Sequence, residues 1–188
     1  MNLPNKLTLL RVILVPFFVA VLLLPAIPHH YLWAFLLFAV ASLTDHFDGR
    51  IARKNNQVTT FGKFLDPIAD KILVISALVS FVQLGLAPTW CVLLIIAREF
   101  MVTSIRLVAV EGGKVIAANS WGKVKTVSQM SAIIVTLLLQ YFVELGFVTA
   151  GAPIMLIGSV LIYLATVLTV ISGAVYLKEN IEVISNMK

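Results

Sequence analysis

Long apolar runs alternate along the chain with short polar segments. A run of about 18 or more mostly apolar residues is long enough to cross a bilayer as a helix. Six runs reach that length, and they cover 7–26, 31–49, 64–85, 88–110, 124–145 and 153–177. The pattern therefore predicts an all-α integral membrane protein with six transmembrane helices.

The composition agrees with a membrane protein. Of the 188 residues, 60% are hydrophobic and 12% are charged, whereas about a quarter of a typical soluble domain is charged. No internal repeat and no low-complexity linker divides the chain. We therefore predict a single membrane domain that spans residues 1–188.

The positive charges follow a topological pattern. Lys and Arg outnumber Asp and Glu by 14 to 9, which gives a net charge of +5. The turns near 25–31, 85–89 and 144–153 contain no Lys or Arg, while the connections 50–63 and 111–125 and both termini carry nearly all of them. Because positive loops stay in the cytoplasm, both termini should be cytoplasmic. We expect the excess of positive charge to set the orientation in the membrane and to attract anionic lipid headgroups. We expect no nucleic-acid partner.

Four of the nine acidic residues lie where the second apolar run ends and the third begins. Asp45 and Asp48 are three positions apart, and Asp66 and Asp70 are four positions apart, so each pair shares one face of a helix. Two helices joined by a short connection should be antiparallel neighbours, which would bring the two pairs together. Four carboxylates in a low dielectric need positive charge to remain ionised. Carboxylate oxygens are ligands that Mg²⁺ prefers, often together with substrate phosphates.

A set of structural ion pairs at the membrane surface is the alternative interpretation. Acidic residues at a membrane edge are nevertheless functional candidates, because charge is costly there. Two pairs at helical spacing, with Gly49 and Gly62 beside them, favour a metal site that a phosphate-containing ligand can approach.

The segment DHFDGRIARKNNQVTTFGKFLDPIAD, residues 45–70, resembles the signature of the CDP-alcohol phosphatidyltransferases at all eight motif positions. The six-run architecture resembles that family along the whole chain. The resemblance implies an enzyme in which two Mg²⁺ or Mn²⁺ ions grip the pyrophosphate of a CDP-linked lipid such as CDP-diacylglycerol. It also implies a multi-pass homodimer in the bacterial cytoplasmic membrane, with membrane lipids around it and an active site that faces the cytoplasm.

The same resemblance implies roles for single residues. The metal ligands would be Asp45, Asp48, Asp66 and Asp70, and Asp70 would also take the proton of the acceptor's hydroxyl. The CDP pocket would be lined by Gly49, Ala52, Arg53 and Gly62. CMP would be the leaving group.

Cations outside the motif suggest the acceptor. A phosphorylated acceptor needs positive groups in its pocket, and Arg grips phosphate with a planar fork. Arg106, Lys123 and Lys125 all fall at the predicted cytoplasmic side and are candidates for binding the acceptor's phosphate. The segments NLPNKLTLLR, AREFMVTSIR and WGKVKT resemble members of the family that make phosphatidylglycerophosphate. The resemblance therefore favours transfer to sn-glycerol 3-phosphate, within phosphatidylglycerol biosynthesis.

Several alternatives stay open on the sequence. Another member of the same family would use inositol phosphate, serine or phosphatidylglycerol as acceptor. An ion-coupled transporter would use the acids differently, but transporter sites lie near the bilayer midplane and these acids cluster at one surface. Arg98 and Glu99 form a charged pair inside an apolar run, either as a structural pair or as support for the site. Ala165, Thr169 and Gly173 repeat every four positions, which fits either a helix-pairing face or packing within one subunit.

Overall fold

The computed structural model describes the backbone of residues 3–54, 60–111, 120–148 and 152–181, and the side chains of most of them, excluding the four aspartates of the motif. Within these ranges the chain forms six α-helices and no strand. The helices are α1 (Leu3–Leu23), α2 (His30–Lys54), α3 (Thr60–Gln83), α4 (Thr89–Glu111), α5 (Ser120–Glu144) and α6 (Ala152–Glu179). An all-α fold with one helix on each predicted apolar run is therefore confirmed for the described residues.

The helices extend beyond the apolar runs at the polar connections. α2 continues through the charged segment to Lys54, and α3 begins at Thr60, before the apolar run that was predicted to start at 64. A hydropathy run marks the part of a helix that avoids water, whereas the helix itself continues while backbone hydrogen bonds can form. In the described part of the chain, α5 (Ser120–Glu144) and the segment Leu156–Glu179 of α6 are long and apolar enough to cross a membrane.

Two turns end their helices in the same way. Gly85 and Gly146 adopt positive φ angles of 70° and 73°. After α3, the Leu86 amide donates to the Phe81 carbonyl at 2.8 Å, and the Gly85 amide donates to the Val82 carbonyl at 3.1 Å. This pair of hydrogen bonds satisfies the last carbonyls of a helix. It requires the left-handed conformation, which glycine adopts most easily.

Contacts between side chains define how the helices run. The Phe18 and Phe38 rings lie 5.8 Å apart, and His30 Nδ1 lies 3.1 Å from the Leu22 carbonyl, so α1 and α2 are antiparallel. His29 packs edge-on against Tyr141, near the end of α5. The N-termini of α1, α3 and α5 and the C-termini of α2, α4 and α6 consequently lie at one end of the bundle. We call this the aspartate end, because it holds the helical segments that carry the four motif aspartates.

The core lies where the helices meet. α1 packs against α2 and α3, α6 packs against α4 and α5, and α2 also contacts α5; α2 and α3 touch each other less extensively. The core contains Phe18, Phe38, Leu78, Ile95 and Leu137.

The small residues Ala165, Thr169 and Gly173 are buried within this subunit. Gly173 faces Arg98 of α4, and Thr169 accepts a hydrogen bond from Gln129 of α5. Of the two interpretations of this repeat, packing within one subunit is therefore the one that the structure shows.

Candidate active site at the aspartate end

The four motif aspartates lie on helical backbone. Asp45 and Asp48 belong to the last ten residues of α2, and Asp66 and Asp70 belong to the first half of α3. Each pair therefore has the helical spacing that the sequence predicts. Their side chains lie outside the described residues, as do those of Ala52 and Arg53 and the surroundings of Gly49 and Gly62.

The donor set suits a hard divalent cation. Four carboxylates on two uninterrupted helices offer only oxygen ligands, which Mg²⁺ and Mn²⁺ favour over nitrogen or sulfur. Among the side chains that the structure describes, no group of three or more His, Cys, Asp or Glu residues is placed to hold a metal. The motif aspartates remain the candidate ligands, because they lie outside that part of the chain.

A buried arginine lies beside the α2 segment that leads to Asp45. Arg11 of α1 is 1% exposed, and its Nε donates a hydrogen bond of 3.2 Å to the Ala41 carbonyl. Ala41 precedes Asp45 by one helical turn, and its carbonyl also accepts a 2.7 Å hydrogen bond from Thr44 Oγ1. A guanidinium is therefore held next to the helix that presents the first aspartate pair. In the sequence, the only indication of this contact is that an arginine occurs within the first apolar run.

The three candidate cations for the acceptor's phosphate differ in their surroundings. Arg106 is exposed on α4, and its Cζ lies 6.0 Å from the centre of the Tyr176 ring. Lys123 is exposed in the first turns of α5. Lys125 is buried, and its ammonium donates to Glu99 Oε1. All three belong to helix segments near the aspartate end.

Glu99 connects two cations from different helices. Its Oε1 accepts from Lys125 of α5 and, at 3.2 Å, from Arg98 Nη1 on its own helix. Arg98 Nη2 also donates a 2.7 Å hydrogen bond to Ser172 Oγ of α6. Arg98 and Glu99 thus form a pair, as the sequence suggested, but the pair is part of a cluster across α4, α5 and α6. We call Arg98, Glu99, Lys125 and Ser172 the charged cluster.

A second polar contact lies one turn farther from the aspartate end. Gln129 Nε2 donates a 2.9 Å hydrogen bond to Thr169 Oγ1, and both residues are buried. The sequence analysis did not predict Gln129, Ser172 and Tyr176 as members of a polar helix face. The spacing of Thr169, Ser172 and Tyr176 by three and four positions indicates such a face on α6, because residues at this spacing lie on the same side of a helix.

Comparison with known proteins identifies the family. The model of the CDP-alcohol phosphatidyltransferase family matches residues 1–171. The chain is 44% identical to the CDP-diacylglycerol–glycerol-3-phosphate 3-phosphatidyltransferase of Bacillus subtilis, over 96% of each protein. It is 48% identical to the protein of the same name from Escherichia coli K12, over 70% of this chain and 74% of that protein.

A third relative is a probable phosphatidylglycerophosphate synthase of Mycobacterium tuberculosis, which is 38% identical over all of this chain and 85% of its own length. Members of the matched family generally depend on a divalent metal. The oxygen-only donor set on α2 and α3 is consistent with that dependence. The chain therefore belongs to the CDP-alcohol phosphatidyltransferase family and is a transferase.

Proposed function

We propose that the protein transfers a phosphatidyl group from CDP-diacylglycerol to sn-glycerol 3-phosphate, which yields phosphatidylglycerophosphate and CMP. The observation that carries this proposal is the 44% identity to the Bacillus subtilis enzyme of that name, which extends over 96% of both chains. Three cationic side chains near the aspartate end support a phosphorylated acceptor. The product would feed phosphatidylglycerol biosynthesis.

The motif aspartates would carry the chemistry. Asp45, Asp48, Asp66 and Asp70 would hold two Mg²⁺ or Mn²⁺ ions, which supply positive charge beside the pyrophosphate when bound. The acceptor's hydroxyl oxygen forms a bond to the lipid-side phosphorus, and the bond from that phosphorus to the bridging oxygen breaks. CMP leaves with the bonding electrons, and Asp70 takes the hydroxyl proton as general base.

Residues around the aspartates would position the two substrates. Gly49 and Gly62 leave space for CDP, and Ala52 and Arg53 complete that pocket in the proposal. The acceptor's phosphate would bind Arg106, Lys123 and Lys125. Arg and Lys suit this task because charge-assisted hydrogen bonds to phosphate are about twice as strong as neutral ones.

The proposed enzyme crosses the bacterial cytoplasmic membrane six times as a single domain over residues 1–188 and works as a homodimer. Both termini and the aspartate end face the cytoplasm. Large apolar side chains are exposed on helices besides the two that are long enough to span, including Phe17 of α1, Val40 of α2, Val79 of α3 and Leu93 of α4. Soluble monomers rarely expose apolar surface of that extent, which supports a lipid environment for all six helices.

The first test is CMP release by the purified protein in detergent with CDP-diacylglycerol. We expect release only when Mg²⁺ or Mn²⁺ and sn-glycerol 3-phosphate are both present, and none after chelation with EDTA. Asp70→Asn should lower the rate by roughly 100-fold or more, as expected for loss of a general base that is also a metal ligand. Glu144→Gln is the matched control, because Glu144 is an exposed carboxylate at the opposite end of the bundle.

The assignment of sn-glycerol 3-phosphate as the acceptor can be contradicted separately from the enzyme family. Release that requires inositol phosphate, serine or phosphatidylglycerol instead of sn-glycerol 3-phosphate would keep the enzyme family and overturn the acceptor. Release with no acceptor at all would overturn the proposed transfer.

A further inference from the structure

Arg106 is held by an aromatic ring. Its Cζ lies 6.0 Å from the centre of the Tyr176 ring, within the range of a cation–π contact. Arg106 itself is exposed, while Tyr176 is 2% exposed. In the described part of the chain no carboxylate pairs with Arg106. The guanidinium is therefore oriented by an uncharged surface, and its positive charge is not neutralised by a described partner.

This arrangement differs from that of Lys125 in the same region. The ammonium of Lys125 contacts the Glu99 carboxylate, so an anion that approaches Lys125 competes with an existing ion pair. A cation–π contact forms no hydrogen bond to an oxygen acceptor, so the five N–H donors of the guanidinium are not committed to a carboxylate. Of the two cations, Arg106 is therefore the one for which an approaching anion meets no described carboxylate competitor.

Fixing Arg106 has an energetic consequence for binding. A free arginine side chain has considerable rotamer entropy, which it loses when it binds a phosphate. A side chain that already rests on a rigid surface loses less, so a ligand binds more tightly to it. The Tyr176 ring provides a rigid surface, because it is buried on α6.

We propose that Tyr176 is a positioning residue that orients Arg106 for the phosphate of the acceptor substrate. The inference rests on the proposed function, because it gives Arg106 the role of phosphate ligand. Tyr176 acts through the face of its ring and has no contact with the substrate. It determines affinity for the acceptor and leaves affinity for the CDP-linked lipid unchanged.

The contributions of the ring and of the hydroxyl of Tyr176 can be measured separately. The hydroxyl is buried and has no hydrogen-bond partner in the described structure. Removal of a buried hydroxyl without a partner carries no loss of hydrogen-bond energy, so Tyr176→Phe should fold at least as stably as the native chain. Tyr176→Phe keeps the ring face, whereas Tyr176→Leu removes it.

The experiment measures KM for sn-glycerol 3-phosphate, KM for CDP-diacylglycerol and kcat for the two variants and the native protein. Tyr176→Leu should raise KM for sn-glycerol 3-phosphate roughly three- to tenfold, the size expected for loss of one cation–π contact. KM for CDP-diacylglycerol should stay within about twofold, the scatter expected of an unaffected site. Tyr176→Phe should keep the native KM for both substrates.

Two further variants test the mechanism. Arg106→Gln removes the charge that the ring orients, and adding Tyr176→Leu to it should raise KM no further, because the two side chains act as one unit. Tyr163→Leu is the matched control. Tyr163 lies on the same helix, packs against Trp90 with ring centres 5.5 Å apart, and is far from the aspartate end.

The outcomes distinguish this proposal from the proposed function. If the native protein shows no CMP release that depends on sn-glycerol 3-phosphate, the proposed function fails. If it does, the positioning role is overturned by an unchanged KM in Tyr176→Leu, by an equal rise in Tyr176→Phe, or by equal rises for both substrates. Where Tyr176→Leu does not fold, Tyr176→Met provides the same comparison with a longer apolar side chain, and the Arg106→Gln comparison can be made with Tyr176→Met.

Discussion

Glu99 balances the charge of two buried cations, Arg98 and Lys125. Its carboxylate accepts from Arg98 and Lys125, and Arg98 in turn donates to Ser172. The side chains of Arg98, Glu99 and Lys125 are only 6–13% exposed. A carboxylate in this position offsets two buried cations that would otherwise repel each other across α4 and α5.

We predict that Glu99→Gln destabilises the protein strongly. The amide keeps the shape of the side chain but removes the negative charge that both buried cations contact, a change that typically costs about 3–5 kcal/mol. Reversible unfolding in mixed micelles measures the loss. Glu144→Gln, at an exposed position, should change the free energy of unfolding by less than about 0.5 kcal/mol.

A second substitution tests the electrostatic cause. Lys125→Met in the Glu99→Gln background removes one of the two cations that contacted Glu99 and should recover part of the lost stability, since Met covers a similar length of apolar stem. Equal stability of Glu99→Gln and the native chain would contradict the charge argument. A double variant less stable than Glu99→Gln alone would indicate that packing of the lysine stem matters more than charge.

At the scale of helices, the contact of α4 with α6 depends on a glycine. A Cβ added at Gly173 would lie 2.9 Å from Arg98 Cγ, closer than real Cβ contacts. Arg98 cannot easily move away, because hydrogen bonds to Glu99 and Ser172 hold its guanidinium. The backbone approach at Gly173 and the charged cluster therefore support each other.

We predict that Gly173→Ala destabilises the protein and that Gly158→Ala does not, although both glycines are buried on α6. Gly173→Ala should cost about 1–3 kcal/mol through overpacking. A Cβ at Gly158 would lie 3.4 Å from Thr136 Oγ1, an ordinary contact distance, so the better helix propensity of Ala should make Gly158→Ala neutral or stabilising by up to about 1 kcal/mol.

The measurement is the melting temperature of the two variants in the same detergent. A matching loss in both variants would show that α6 tolerates no side chain at either position, which would contradict the geometric distinction. A neutral Gly173→Ala would show that Arg98 can shift without loss of the charged cluster.

At the scale of the whole molecule, the predicted topology puts the aspartate end in the cytoplasm. The α1–α2 turn and the start of α5 lie at opposite ends of the bundle, and Ala26 and Ser120 are exposed there. The only cysteine of the chain, Cys91, is buried. The native protein is therefore its own control for cysteine labelling.

We predict that a membrane-impermeant maleimide labels Ala26→Cys in intact spheroplasts and labels Ser120→Cys only after lysis. The reason is that positively charged connections stay in the cytoplasm, and the connection that precedes Ser120 is one of them. Labelling of Ser120→Cys alone before lysis would indicate the opposite orientation. Labelling of both positions before lysis would contradict the predicted placement of the two ends on opposite sides of the membrane. The native protein should remain unlabelled throughout.

Local patterns in the sequence determined the helices and the motif. The six apolar runs predicted the six helices, because a helix that crosses lipid is made of about 20 predominantly apolar residues. The spacing of Asp45, Asp48, Asp66 and Asp70 predicted shared helix faces, because that spacing is a local property of a helix. The role of these aspartates and of the three candidate phosphate ligands remains a prediction that the proposed assays test.

The tertiary structure alone decided which distant residues meet. Lys125 contacts Glu99 across 26 positions, and Arg11 contacts the Ala41 carbonyl across 30. Tyr176 meets Arg106 because α4 and α6 run side by side in the same direction. Hydropathy and spacing report on neighbours along one helix, whereas these contacts depend on how separate helices pack, which a local pattern does not encode.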